Sequence, residues 1–198
     1  MSTLALNIRM QGKLVVIIGG GSVALRKLGK LLAAGAVVRV VAIEICTGIN
    51  ALKDSEKVAV RVGHYMAADL DNAFLVIAAT NDKIVNDQVR DDAQQRGILI
   101  TIADNPSAGD CTFPALLQLG DLDIAVSTGG RCPTFAIDVR DQIARHIGGE
   151  YAEILERVAA EREKLLTNGN SSTYNAQILR SLASSLIAEF TDRKELLP

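Results

Sequence analysis

Five short groups of residues carry side chains, or bare backbone, suited to chemistry. The first is Gly19-Gly-Gly21-Ser22-Val23-Ala24, which follows an apolar run and opens an amphipathic one. In the spacing Gly19-x-Gly21-x-x-Ala24, the first glycine suits a tight turn and the second leaves room for a phosphate. The small third residue lets a helix approach a strand. A phosphate there meets unpaired amides at a helix N-terminus, where the dipole also favours negative charge. The same run equally reads as a turn that only lets a helix cross a sheet closely. The second group is Glu44 alone, after the run Val37–Ala42 and twenty residues beyond Ala24. A carboxylate there can accept hydrogen bonds from an adenosine ribose and disfavours a 2′-phosphate, which points to NAD over NADP. Otherwise Glu44 is a solvated loop charge. Thr80-Asn81-Asp82 forms the third group. Thr80 and Asn81 offer small polar groups to a cofactor, and Asn81 or Asp82 equally reads as a helix cap. Asp104 is the fourth: a general base beside the cofactor, or a turn aspartate before Asn105-Pro106. The fifth is Ser127-Thr128-Gly129-Gly130-Arg131-Cys132-Pro133, where hydroxyls, free amides and a guanidinium suit carboxylate binding. That run also reads as a turn with Pro133 starting a helix.

These groups need elements to hold them. The sequence predicts strands over Lys13–Ile18, Val37–Ala42, Lys57–Arg61, Phe74–Ala79 and Ile98–Ala103. Helices are expected over Ser22–Ala34 and Asp82–Arg96, with a short one in Ile45–Leu52. Leu28, Leu31 and Leu32 share a face, and Gly35 and Gly97 stop the two long helices. Phe74–Ala79 lacks polar alternation, as a strand buried on both faces does. This rhythm predicts an α/β fold with a Rossmann-type, doubly wound parallel sheet and right-handed crossovers. Residues just after the strands then gather at the carboxyl edge, where open parallel sheets bind ligands. At Asp104 the rhythm breaks. Asn105–Asp110 reads as a loop, and Thr112–Leu117 and Leu122–Ser127 as strands joined near Gly120-Asp121. Helices are expected over Thr134–Ile147, Glu150–Thr167 and Ala176–Phe190, separated by Gly148-Gly149 and by a loop over 168–174. The expected division is 1–111, a nucleotide-binding domain; 112–149, a small α+β segment; and 150–198, a helical tail.

Composition narrows the function. The 198 residues suit one medium domain with an appendage. A net charge of −2 gives no footprint for a nucleic-acid partner, so an acidic ligand needs a local basic patch. No apolar run is long enough for a membrane span, and the first residues lack the pattern of a secretion signal. Cys46, Cys111 and Cys132 are widely spaced and odd in number, which predicts reduced thiols in a cytoplasm. With only His64 and His146 and no Cys-x-x-Cys, no permanent metal site is expected.

Taken together, several segments resemble the precorrin-2 dehydrogenase family, the N-terminal module of siroheme synthases. They are Gly19–Lys27, Val40–Glu44, Asp69–Asp82, Asp104-Asn-Pro, Phe113-Pro-Ala115 and Ala125–Gly130. The resemblance spans about residues 5 to 147 in order and spacing. It implies oxidation of precorrin-2 to sirohydrochlorin with NAD, on the route to siroheme. In some members it also implies ferrous-iron insertion in the same cleft. It implies a homodimer, with the segment after the nucleotide domain forming the subunit contact. The position of Asp104 is the one tied to both activities, and those of Ser22, Val23, Ile43 and Glu44 line the NAD site. Ser127 falls in the tetrapyrrole cleft, at a serine phosphorylated in some members. Three departures stand out: Ile43 where the family often has proline, Cys132 where it often has serine, and no fused methyltransferase domain in these residues. The last implies that precorrin-2 is received from elsewhere.

On that resemblance, Asp104 is the expected acid–base residue, with the nicotinamide near Thr80 and Asp104. Ser127, Thr128, Gly129 and Arg131 are expected against substrate carboxylates, with Arg140 and Arg145 as further candidates. Asp104 and His146 are candidates for transient iron contact, and His146 also reads as a helix-end histidine. The rival is a nucleotide-sensing regulatory domain of a transporter or channel, which shares the glycine turn and has no evident need for Asp104-Asn-Pro or Ser127-Thr-Gly-Gly. Another is a chelatase that has lost its dehydrogenase activity, against which Gly19, Gly21 and Ala24 stand intact.

Overall fold

The computed structural model describes residues 3–53, 55–167 and 172–195. Runs rich in Val and Ile form β1 (Leu14–Ile18), β2 (Val37–Ala42), β3 (Val58–Val62), β4 (Leu75–Ala78) and β5 (Leu99–Ile102). All pair in parallel, in the order β3-β2-β1-β4-β5. Alternate residues of β1 feed two cores. Val15 and Ile17 pack with Ala24, Leu28 and Leu31 of α1 (Ser22–Ala33), while Val16 and Ile18 pack with Val89 and Ala93 of α3 (Lys83–Gln95). Helices therefore cover both faces, and the sheet is doubly wound as the Rossmann-type pattern predicts. A single turn, α2 (Thr47–Asn50), follows β2. Gly35 and Gly97 end the two long helices with φ of 80° and 65°, which favour glycine.

Charged residues near the sheet are tied into the frame. Arg39, within β2, donates to the carbonyl of Asp69 at 2.7 Å. Asp69 is buried; it pairs with Arg61 and accepts the Met66 N–H at 2.8 Å. Its hydrogen bond raises the Arg61 pKa further above the ordinary guanidinium value.

Beyond β5 the chain makes a 3₁₀ turn over Pro106–Ala108 and lies against that strand. The Asp110 N–H donates to the Ile100 carbonyl at 2.8 Å, and its carboxylate accepts the Ile100 N–H at 3.1 Å. A Cβ on Gly109 would lie 2.7 Å from the same carbonyl oxygen, so the approach requires glycine. The Thr101 hydroxyl donates to the Cys111 carbonyl at 3.0 Å, and burial pushes the Cys111 thiol pKa up.

From Pro114 onward a second compact unit holds an antiparallel hairpin and three helices. The hairpin pairs β6 (Ala115–Leu119) with β7 (Leu122–Val126) through Gly120 at φ 59°. The helix α4 (Pro133–His146) packs on it, and α5 (Glu150–Thr167) pairs with α6 (Ser172–Glu195). The first hairpin strand begins at Ala115 and not at the expected Thr112, because Pro114 has no N–H to give a ladder. The last helix is longer than expected at both ends. Ser172–Tyr174, predicted as loop, are helical, as serine and threonine at a helix start allow. The rest of that predicted loop, 168–171, lies outside the described residues. Among the described residues, no helix is long and apolar enough to cross a membrane.

Lys27 of α1 places its Nζ 3.7 Å from the centroid of the Phe113 ring. Burial, with repulsion from Lys30 and Arg26, pulls its pKa from 10.5 down to about 8. The folded chain thus holds this proton less tightly than the unfolded chain, and the penalty is relieved as pH climbs from about 8 towards 10.5. Wild type should therefore gain stability relative to Lys27→Met between about pH 7 and about pH 10 in urea melts. Parallel pH courses for the two proteins would contradict this.

Candidate active site

The parallel pairing brings the ends of five strands to one edge, and the β1–α1 turn forms its centre. Gly19 has φ 127°, and a Cβ on it would lie 2.3 Å from the Ala79 carbonyl oxygen. A Cβ on Gly20 would lie 2.0 Å from the Glu44 carbonyl oxygen. The Gly20 carbonyl also accepts the Cys46 N–H at 2.8 Å. The protein's own backbone therefore dictates glycine at 19 and 20. Gly21 is different. It caps α1, no side chain satisfies the helix N-terminus, and a Cβ there would meet nothing within 4 Å. The uncapped start of α1 thus adjoins open space at Gly21, which fits a ligand phosphate. Ala24, fully buried, lets the helix pack on the strand.

A cavity of about 730 Å³ opens over this turn, a size suited to a cofactor. Gly19, Gly20 and Gly21 form its floor. Ile43, Glu44 and Cys46 line it from the end of β2, Gly63–Tyr65 from β3, and Ala79–Asp82 from β4. Ile43 and Glu44 are both exposed there. Ser22 and Val23 are the first two residues of α1 and lie outside the wall. The Tyr65 hydroxyl donates to Asp92 at 2.8 Å. Burial and that carboxylate push its pKa up, so it remains a neutral wall.

From Thr80 on the cavity wall, one hydrogen-bonded chain runs outward through Asn86 to Asp104. The Thr80 hydroxyl donates to Asn86 Oδ1 at 2.7 Å, and the Thr80 N–H reaches the same oxygen at 3.3 Å. Asn86 Nδ2 donates to the Thr80 carbonyl and to Asp104 Oδ1, each at 3.1 Å. Asp82 caps α3, accepting from the Ile84 N–H at 2.9 Å and the Val85 N–H at 3.3 Å. The cap is therefore Asp82, while Asn81 stays exposed on the cavity wall. Asp104 is exposed just past β5 and lies outside the cavity wall, joined to it through Asn86.

In the second unit, the turn before α4 is closed by its own hydroxyls. Ser127 Oγ accepts the Gly129 N–H at 3.2 Å. Thr128 Oγ1 accepts the Cys132 N–H at 3.1 Å and donates to the Cys132 carbonyl at 3.0 Å. Gly129 and Gly130 take φ of 61° and 79°. Arg131 is exposed. Arg140 pairs with Asp141 at 2.6 Å, and His146 Nδ1 stands 2.9 Å from the Gln142 carbonyl, one turn back in its helix.

Sequence reasoning missed three features. Gly20 reads as the variable position of the glycine motif, yet it makes a closer contact than Gly19 or Gly21. Asn86 carried a signal, because it occupies the buried face of α3 together with Val89 and Ala93. A polar residue in an apolar period calls for a partner. Gly63–Tyr65 follows β3 on the same edge and could have been found from the parallel topology.

A family model described as "Putative NAD(P)-binding" matches residues 6–115. The chain belongs to this NAD(P)-binding family. Curated relatives include the siroheme synthases of Pseudomonas entomophila (strain L48), 38% identical over 165 residues, and of Methylococcus capsulatus (strain ATCC 33009 / NCIMB 11132 / Bath), 35% identical over 165 residues. Each alignment covers 83% of this chain; it covers 36% of the first relative and 35% of the second. The chain thus spans about a third of the length of these relatives. Among solved structures, one titled "SirC, precorrin-2 dehydrogenase" shares the fold, with a TM-score of 0.77 at 23% identity, over 98% of this chain and all of that one.

For an NAD(P)-binding chain, Gly20 and Gly21 should respond differently to a methyl group. Gly21→Ala should change the melting temperature little, since its Cβ meets no protein atom. It should weaken NAD binding about tenfold or more in calorimetry, about 1.4 kcal/mol. Gly20→Ala should lower the melting temperature and weaken NAD together. Equal NAD affinity in Gly21→Ala and wild type would remove Gly21 from the phosphate site.

Proposed function

We propose that the chain oxidises precorrin-2 to sirohydrochlorin, using NAD, in siroheme biosynthesis. One observation carries the reading: a carboxylate, Asp104, is tethered through Asn86 to the strand end that lines the NAD(P) cavity. The siroheme synthase relatives and the precorrin-2 dehydrogenase neighbour support it. Bound NAD supplies the hydride acceptor. Gly21 and the first amides of α1, at Ser22 and Val23, hold its pyrophosphate, with Gly19 making the turn beneath. Glu44 accepts the adenosine ribose hydroxyls beside Ile43 and disfavours a 2′-phosphate, which selects NAD over NADP. Thr80 and Asn81 meet the nicotinamide end. Asp104 takes the proton that leaves the substrate as conjugation extends.

The reading extends to the rest of the chain. Residues 1–111 act as the NAD domain, 112–149 as the dimerisation and substrate-cleft segment of a homodimer, and 150–198 as a helical domain. Ser127, Thr128, Gly129 and Arg131 receive substrate carboxylates, with Arg145 near them in sequence. Arg140 is less suited, being paired to Asp141. Ferrous iron is a second substrate at Asp104, inserted into sirohydrochlorin in the same cleft. Three free cysteines, Cys46, Cys111 and Cys132, support a cytoplasmic setting.

Precorrin-2 and NAD incubated with wild-type protein should give the sirohydrochlorin spectrum. Asp104→Ala should lower kcat by about 10²- to 10⁴-fold with NAD affinity unchanged. A protein that binds NAD and leaves precorrin-2 untouched would be a nucleotide sensor and would overturn the reading. Glu44→Ala should weaken NAD about tenfold and narrow its margin over NADP, a loss of about 1.4 kcal/mol. An unaltered NAD preference would remove Glu44 from cofactor choice.

A further inference from the structure

We propose that Asn86 is a positioning residue that holds the Asp104 carboxylate in register with the cofactor end of the cavity. This inference rests on the role given to Asp104 above.

Asn86 is 2% exposed, so its amide has no access to bulk water and must find its partners inside the protein. A primary amide offers two donor hydrogens and two acceptor lone pairs. All four have partners: Oδ1 faces the Thr80 hydroxyl and N–H, and Nδ2 faces the Thr80 carbonyl and Asp104 Oδ1. The orientation of the amide follows from chemistry. Turned over, it would set Oδ1 against a carboxylate and a carbonyl, and Nδ2 against an N–H. Asp104 can accept and cannot donate while ionised, so the contact requires the Nδ2 hydrogen there.

The two residues that Asn86 joins end adjacent parallel strands, β4 and β5. Thr80 lines the cavity and Asp104 does not. Asp104 is exposed, and a carboxylate in that setting rotates about its side-chain bonds unless it is tethered. The hydrogen bond from Asn86 Nδ2 commits Oδ1, and so fixes where Oδ2 can take a proton. Three other side chains at that position would fail. Leucine would offer no partner to Thr80 or Asp104. Aspartate would keep the acceptor for Thr80 and lose the donor for Asp104. Serine reaches less far and carries one hydrogen. Asn86 does not line the cavity and meets its wall through Thr80, so its effect on proton transfer passes through Asp104.

A double-mutant cycle tests this on the full chain. Asn86→Asp and, as the smaller change, Asn86→Ser are each made in wild type and in Asp104→Ala. With NAD and precorrin-2 saturating, each single Asn86 substitution should lower kcat about tenfold or more, as a displaced catalytic group does. The KM for NAD should stay within about threefold, because the phosphate and ribose ends of the cavity are untouched. In Asp104→Ala the same substitutions should change kcat less than about twofold. Costs that multiply in Asp104→Ala would show a role in the frame alone and overturn the proposal, as would unchanged kcat in Asn86→Asp. A second readout is independent of turnover: the side-chain amide protons of Asn86, followed by nitrogen-15 NMR. They should lose exchange protection and shift in Asp104→Ala. If wild type fails to oxidise precorrin-2, the proposed function falls, and the amide signal then decides whether Asn86 holds Asp104. An amide indifferent to Asp104→Ala overturns the positioning role.

Discussion

The cofactor edge depends on one close crossing, that of the loop after β2 over Gly20. The Glu44 carbonyl and the Gly20 backbone lie so near that no Cβ fits between them, and the Cys46 N–H closes the contact on the Gly20 carbonyl. Gly19 adds a second crossing, against Ala79 at the end of β4. Three strand ends are thereby locked into one rigid surface. The loop that carries Glu44 takes its position from bare backbone, while the segment that carries Thr80 is also held by the Asn86 amide. A binding surface built from main chain loses little side-chain entropy when it orders, and it presents amides at fixed spacing. The cavity is therefore largely preformed.

The polar groups around this edge divide by the atoms they have left to offer. Asp69, Arg39 and Arg61 are consumed in holding the turn after β3, and Asp82 is consumed in capping α3. The Thr80 hydroxyl is also spent, on Asn86 and the neighbouring turn. Glu44 and Asn81 remain exposed on the cavity. Asp104 commits one oxygen to Asn86, and its exposure leaves the carboxylate in contact with solvent. Burying a polar side chain is costly unless every hydrogen-bonding atom is met. Asn86 meets that condition, which is why one buried amide is compatible with an otherwise apolar helix face.

Much of the architecture was legible because period and punctuation agreed. Strand runs of Val and Ile, the face made by Leu28 and Leu31, and stops at Gly35 and Gly97 all point to the doubly wound sheet. The start of β6 was misread because the apolar run Phe113–Leu117 extends the strand pattern, while Pro114 bars an earlier ladder. The last helix was underestimated because Ser172–Tyr174 resemble loop residues as readily as a helix start. At the site, sequence spacing found Gly19, Gly21, Glu44, Thr80 and Asn81, and the family resemblance added Ile43; all six line the cavity. Spacing could not find Gly20, whose importance lies in what approaches it from a distant part of the chain, and it passed over Asn86, whose place in the apolar period of α3 was the available signal. Nor could it show that Asp104 stands outside the wall, which depends on side-chain reach and not on strand order.

The segment that lies along β5 has a further consequence. Asp110 supplies, from one residue, both a donor and an acceptor to the outward N–H and carbonyl of Ile100. A visiting strand would find those groups already taken. This border is thus covered at Ile100, which hinders strand-by-strand polymerisation, the common hazard of an open border. The opposite border, at β3, has no such cover among these contacts of the described residues, and at β5 one aspartate serves as a stand-in for part of a sixth strand.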